Sequence, residues 1–121
     1  MKKPFAQYRS FFVLGMARSG IAVSGLLAKH GHTITVFDDD AATLAKFGAS
    51  DVAREYGGRI AVAAVEDVDA VLVACDCMVV SPGVPLENRI VRAALSRGIP
   101  VIGEIEVAAH FTRSTIVGVT G

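Results

Sequence analysis

The sequence predicts an α/β fold: a mostly parallel sheet with helices on both faces, built as a single domain. Three observations support this. Short β-branched or apolar runs alternate with stretches of helical period, as strands joined by crossover helices do. Two glycine-bearing turns, starting at Gly15 and at Ser81, each follow a strand-like run. The 121 residues, 52% of them hydrophobic, can fill one core but are too few for two ordinary domains.

The first strand is expected at Ser10 to Leu14 (SFFVL), a buried run ending at Gly15. A helix over Arg18 to His30 carries apolar Ile21, Ala22, Leu26 and Leu27, with Gly25 where it can press against the sheet. Gly31 stops it. Thr33 to Phe37 (TITVF) is a second strand, closed by Asp38, Asp39 and Asp40. A short helix fits Ala41 to Phe47, with Gly48 as its stop. Residues 49 to 68 are the least legible. Gly57-Gly58 marks a turn there, and Ile60 to Val65 suits a third strand. Asp69 to Cys75 fits the helical and the strand period alike. Cys77 to Val80 is a buried strand entering Ser81-Pro82-Gly83. Glu87 to Arg97 is helical, pairing Ile90 with Ala94 and Val91 with Leu95 at i,i+4 spacing, and Gly98 ends it. Val101-Ile102 makes a short strand, Glu104 to Phe111 a last helix, and Thr115 to Val119 a last strand.

Composition narrows the function. Lys plus Arg equals Asp plus Glu at 12 each, which argues against a nucleic-acid binder relying on a broad basic surface. Cys75 and Cys77 are too close in sequence to staple a fold, so a reduced, cytoplasmic setting is the default. Lys2 and Lys3 are not followed by the long apolar region of a signal peptide. The longest apolar run, Ala70 to Val80, is interrupted by Asp76 and falls well short of a bilayer span.

The chemistry concentrates in the two turns. Gly15-Met16-Ala17-Arg18-Ser19-Gly20 stands between a strand and a helix, the position of the Rossmann-like dinucleotide fingerprint. Gly15 permits a tight turn, position 17 lets the backbone approach a phosphate, and Gly20 lets the helix pack closely. Unpaired N–H groups at the helix start, with the dipole behind them, favour an anion. Asp38, ending the second strand, is the expected partner for a sugar hydroxyl or a base edge. Ala17 replaces the usual middle glycine, and its methyl narrows the room for a pyrophosphate. Arg18 and Ser19 also read as ordinary helix-start residues. In the second turn Pro82 fixes φ and Gly83 frees it, at the carboxyl end of a buried strand where open α/β sheets bind ligands. Taken alone, that motif is a simple turn.

Together the motifs say more. The order LGMARSG, VFDDD, VVSPGVP, GIPVIGEIE, IVGVTG resembles the MurD branch of the Mur ligases, over nearly the whole chain and most weakly from about residue 41 to 75. The resemblance implies cytoplasmic enzymes of peptidoglycan precursor synthesis that add D-glutamate to UDP-N-acetylmuramoyl-L-alanine with ATP and Mg2+. It implies that residues 1–114 are the UDP-sugar-binding domain and that residues 115–121 open the ATP-binding domain, Gly121 being the first glycine of its P-loop. Carried over position by position, Arg18 and Ser19 match residues that hold the diphosphate and uridine. Asp38 matches the acid that meets the uracil. Asp39 and Asp40 match neighbours that touch the base in some members, where basic or hydroxyl residues are common. Gly83 matches the turn glycine under the uracil, with Ser81 and Pro82 beside it. No catalytic residue, metal ligand or cofactor is implied within this stretch. The expected partners are the UDP-sugar substrate and the central and C-terminal domains, with no nucleic acid and no membrane. On this reading the piece alone is catalytically silent.

Two rivals stand beside it. LGMARSG with GHTITVFDDD also resembles NAD-binding regulatory modules of potassium transporters, which leaves SPGVP, GEIE and VTG unexplained. An inert engineered fragment, suggested by the abrupt close at Gly121, predicts a stable fold without a ligand. Cys75 and Cys77 read as small buried hydrophobes rather than metal ligands. His30, His32 and His110 read as solvated or capping residues, and Glu104 and Glu106 as helix-start acids suited to the dipole.

Overall fold

The computed structural model describes residues 7–120, and side chains through residue 112. Five strands, β1 (Ser10–Leu14), β2 (Thr33–Phe37), β3 (Ile60–Val62), β4 (Cys77–Val80) and β5 (Val101–Gly103), form one parallel sheet in the order β3-β2-β1-β4-β5. The helices are α1 (Arg18–Lys29), α2 (Ala41–Gly48), α3 (Asp51–Tyr56), α4 (Val68–Val73), α5 (Arg89–Ser96) and α6 (Glu104–Thr120). This is a Rossmann-like α/β domain.

Strand residues alternate between faces, so each strand feeds two cores. Phe11 and Val13 of β1, Ile34 and Val36 of β2 and Cys77 and Val79 of β4 pack with Val23 and Leu27 of α1 and Val107 of α6. Phe12 and Leu14, with Met78 of β4, pack on the other face against Leu72 of α4 and Ile90, Val91 and Ala94 of α5. Phe11, Phe12 and Val13 are wholly buried, as a central strand covered on both faces must be.

The chain runs β1, β2, β3 toward one edge and then returns to place β4 on the free side of β1. The direction of winding reverses between those halves, which opens a crevice at the carboxyl ends of β1 and β4. Both glycine-bearing turns leave the sheet there.

Several boundaries differ from the sequence expectation. The third strand stops at Val62 instead of Val65, and a 3-10 turn (Val65–Asp67) leads into α4, so the ambiguous apolar run is helical. The illegible stretch holds α3, started by Ser50, whose Oγ accepts the Ala53 N–H at 3.2 Å. Gly25 faces this helix rather than the sheet: a Cβ there would stand 3.2 Å from Cγ2 of Val52. α5 begins at Arg89 because Asn88 is its cap, accepting the Ile90 N–H at 2.8 Å. Residues 115–119, expected as a strand, continue α6. That segment pairs with no strand of the sheet, and a helix satisfies its backbone groups internally. The expected division at 114/115 therefore falls inside a helix.

The three histidines gather at the amino end of the sheet. His32 meets Phe11 edge-on at 5.0 Å between ring centroids, while His30 and His110 lie 4.3 and 5.0 Å from the Phe111 ring. Burial lowers the proton affinity of His32, against a hydrogen bond to the Tyr8 backbone that raises it. Among the described residues, no helix is long and apolar enough to cross a membrane. The amino-terminal segment with Lys2 and Lys3, and Gly121, lie outside the described residues.

Candidate functional site

The first turn is dictated by close packing. Gly15 has φ +97°, a region side chains rarely adopt, and its N–H donates to the Phe37 carbonyl at 2.9 Å. A Cβ on Gly15 would stand 2.7 Å from Cβ of Ser81. One on Gly20 would stand 2.0 Å from the backbone oxygen of Gly15. The helix therefore presses directly onto the turn, and both glycines are required by the fold itself.

The start of α1, like that of α4, has no side-chain cap. Side-chain oxygens of Asp40, Ser50 and Asn88 cap α2, α3 and α5. Ala17 supplies none to α1, and no acid stands in its first turn. The first intrahelical bond runs from Ile21 N–H to the Ala17 carbonyl at 3.0 Å, so the N–H groups of Arg18, Ser19 and Gly20 have no carbonyl partner within the helix. Backbone dipoles there favour an anion.

Asp38 ties the two sides of the crevice together. Its Oδ2 accepts the Met16 N–H at 2.8 Å and its Oδ1 accepts the Asp40 N–H at 2.8 Å. One carboxylate thus braces the first turn against the loop after β2, with lone pairs left over for a ligand hydroxyl or N–H. Asp40 turns away to cap α2, its Oδ1 accepting the Ala42 N–H at 2.9 Å. Asp39 stays exposed and accepts from the Asn88 side-chain amide at 3.4 Å.

The second turn closes the far wall. The Ser81 N–H donates to the Leu14 carbonyl at 3.0 Å, and the Val84 N–H to the Ser81 carbonyl at 3.0 Å. Gly83 departs from the expectation, because its φ is not in the positive range. A Cβ at Gly83 would meet nothing within 4 Å. Neither backbone strain nor packing demands a glycine at this position; its missing side chain leaves open space.

These parts enclose a cleft of about 310 Å3 lined by Gly15, Ala17, Asp38, Asp39, Ser81, Gly83, Val84, Pro85 and Asn88. That volume lies at the lower end of small-molecule sites. Of the residues expected from sequence, Arg18, Ser19, Gly20, Asp40 and Pro82 are not part of the lining. Arg18 and Ser19 are exposed beside it and Gly20 is buried beneath the turn. Glu104, which the sequence reading took as a helix-start acid suited to the dipole, is buried. Val84, Pro85 and Asn88 were missed; the N-cap preference of asparagine was the available signal for Asn88. A larger, shallower depression of about 750 Å3 runs past Leu86, Glu87, Arg92 and Leu95 on the outside of α5. It contains none of the expected site residues. Cys77 is buried and Cys75 half-buried, and burial pushes the Cys75 thiol up to about 11, so it is unreactive near neutrality.

Solved structures with the same chain path share only the fold. Quinate dehydrogenase from Corynebacterium glutamicum in complex with NAD is 20% identical, with a TM-score of 0.56 covering 84% of this chain and 46% of that one. Saccharopine dehydrogenase from Saccharomyces cerevisiae is 21% identical, with a TM-score of 0.56 covering 78% of this chain and 21% of that one. Sequence relatives are more telling. The UDP-N-acetylmuramoylalanine–D-glutamate ligase of Pelotomaculum thermopropionicum is 43% identical over 126 residues, covering 100% of this chain and 26% of the relative. That of Caldicellulosiruptor saccharolyticus is 39% identical over 115 residues, covering 93% of this chain and 25% of the relative. The chain thus spans about a quarter of the length of the curated relatives it matches. The family model for the Mur ligase MurD-like N-terminal domain matches residues 9–103. The chain belongs to the Mur ligase family, as a MurD-like N-terminal domain.

Proposed function

We propose that this chain is the domain that holds the uridine diphosphate part of UDP-N-acetylmuramoyl-L-alanine in a D-glutamate-adding ligase of the cytoplasm. The observation that carries the reading is the cleft where Gly15, Asp38, Ser81 and Gly83 converge at the carboxyl ends of β1 and β4. In it the uncapped start of α1 receives the diphosphate. The remaining acceptor capacity of Asp38 meets a uracil N–H or a ribose hydroxyl. The space left by Gly83 admits the flat base. Asp39 and Asn88 close the base end. Arg18, exposed at the rim, swings onto phosphate as a flexible cation.

Acid activation and amide formation belong to the rest of the parent enzyme. Among the described residues there is no group of three His, Cys, Asp or Glu placed to hold a metal. Gly121, the expected first glycine of a P-loop, lies outside the described residues. No catalytic step is assigned to the described residues. The domain alone is expected to be catalytically silent.

Amide NMR titration with UDP-N-acetylmuramoyl-L-alanine, UDP and NADH tests the reading. Shifts at Ser19, Asp38 and Gly83 with the uridine ligands and none with NADH are expected. Saturable NADH shifts over Gly15 to Gly20 with no response to UDP would overturn it in favour of a nicotinamide-sensing module.

A further inference from the structure

Asn88 lines the cleft and caps α5, and nearly all of its polar groups are committed. Its backbone N–H donates to the Pro85 carbonyl at 3.0 Å, and its carbonyl accepts the Arg92 N–H at 3.0 Å. Its side-chain Oδ1 accepts the Ile90 N–H at 2.8 Å. That bond fixes which end of the amide is oxygen. Nδ2 is therefore the end turned to Asp39, to which it donates at 3.4 Å across the mouth of the cleft. The amide nitrogen carries two N–H groups, and the second has no acceptor among the described residues.

This amide stands across the sheet from the anion-binding end of the cleft. α1 covers one face, with Val23 and Leu27 in the same core as Phe11 and Val13. α5 covers the other, with Ile90, Val91 and Ala94 in the same core as Phe12 and Leu14. The cleft crosses the carboxyl ends of β1 and β4 from the start of α1 to the start of α5. A nucleoside diphosphate with its phosphates on the uncapped start of α1 therefore meets Asn88 with the edge of its base farthest from the sugar. In uracil that edge carries the 4-oxo group, an acceptor; in cytosine it carries the 4-amino group, a donor.

We propose that Asn88 is the specificity-determining residue of the base end, its second amide N–H donating to the 4-oxo group of uracil and turning cytosine away. The inference rests on the nucleotide-sugar reading of the cleft and deepens it. Capping supplies the rigidity. An amide held at its oxygen by the Ile90 N–H cannot turn over to offer an acceptor without orphaning that N–H. A 4-amino group arriving in the same pose sets donor against donor, and that repulsion is what discriminates. One side chain thus serves the fold through its oxygen and the ligand through its nitrogen.

Calorimetric titration of the full chain with UDP and with CDP at one pH tests this. The two probes carry the same diphosphate, so its charge cancels from the ratio of their affinities. The chain is expected to favour UDP by about tenfold or more. Asn88→Asp keeps the cap, because aspartate caps as well as asparagine, but puts an acceptor where the donor was. Its added charge weakens both ligands alike. It should melt as the unsubstituted chain does and lower the preference for UDP by at least ~tenfold. Asn88→Ser, another good cap but too short to reach the base, should bind UDP and CDP alike. Equal affinity of the unsubstituted chain for the two, as when Asp39 accepts the 4-amino group, overturns this inference and leaves the diphosphate site intact. So does a preference for UDP that survives either substitution. Absence of binding of both probes by the folded chain overturns the nucleotide reading as well.

Discussion

The two turns that wall the cleft contain glycine for opposite reasons. Gly15 and Gly20 are demanded from inside the protein: a Cβ would strike Ser81 at 2.7 Å or the Gly15 carbonyl at 2.0 Å. Gly83 is demanded by nothing inside, having neither a positive φ nor an atom within 4 Å of a would-be Cβ. A glycine that the fold requires says little about a ligand, because packing already accounts for it. A glycine that the fold does not require points outward, to whatever fills the space. The motif that looked more like a nucleotide fingerprint in the sequence is thus the one with the fuller structural explanation.

Substitutions can break or sharpen this contrast. Gly20→Ala should have the largest effect, at least ~3 kcal/mol in chemical denaturation, because its Cβ meets backbone that cannot rotate away. A loss below ~1 kcal/mol would mean that α1 can slide, and that the glycine is not held by packing. Gly15→Ala should cost roughly 2 kcal/mol, combining a strained φ with the Ser81 contact. Asp38→Ala should cost about 1–2 kcal/mol by orphaning the Met16 and Asp40 N–H groups, as well as weakening uridine binding. If binding falls with no loss of stability, the brace is unimportant and Asp38 serves the ligand alone. Gly83→Ala should leave stability within ~0.5 kcal/mol while lowering affinity for UDP about tenfold or more, a loss of ~1.4 kcal/mol. Unchanged binding in that variant would empty the contrast of its meaning.

Much of the architecture was legible. β1, β2 and β4 carry dense apolar or β-branched runs bounded by glycine or aspartate, and they lie where the sequence reading put them. What escaped was short or depended on distant contacts. α3 spans under two turns, too few for a helical period to show, and is betrayed only by Ser50 at its cap. The apolar run before Cys77 fitted two periods, and its packing against α5 decided for helix. In the site, the residues at turns were found because glycine, proline and aspartate announce turns. Asn88 was hidden by a helix start placed too early. The burial of Glu104 was hidden because a carboxylate after Gly103 is adequately explained as a helix-start acid, and its burial arises only when α6 docks on α1.

The strand order has a consequence for how the molecule is made. β1 takes both of its neighbours from later in the chain: β2 follows closely, whereas β4 lies more than sixty residues beyond. At roughly 5–20 residues per second of synthesis, a growing chain presents β1 with one side unpaired for several seconds. During that interval the backbone edge of its most apolar strand, Phe11, Phe12 and Val13 among it, is open to any other strand that comes by. The centre of the finished sheet is therefore the most vulnerable part of the unfinished one.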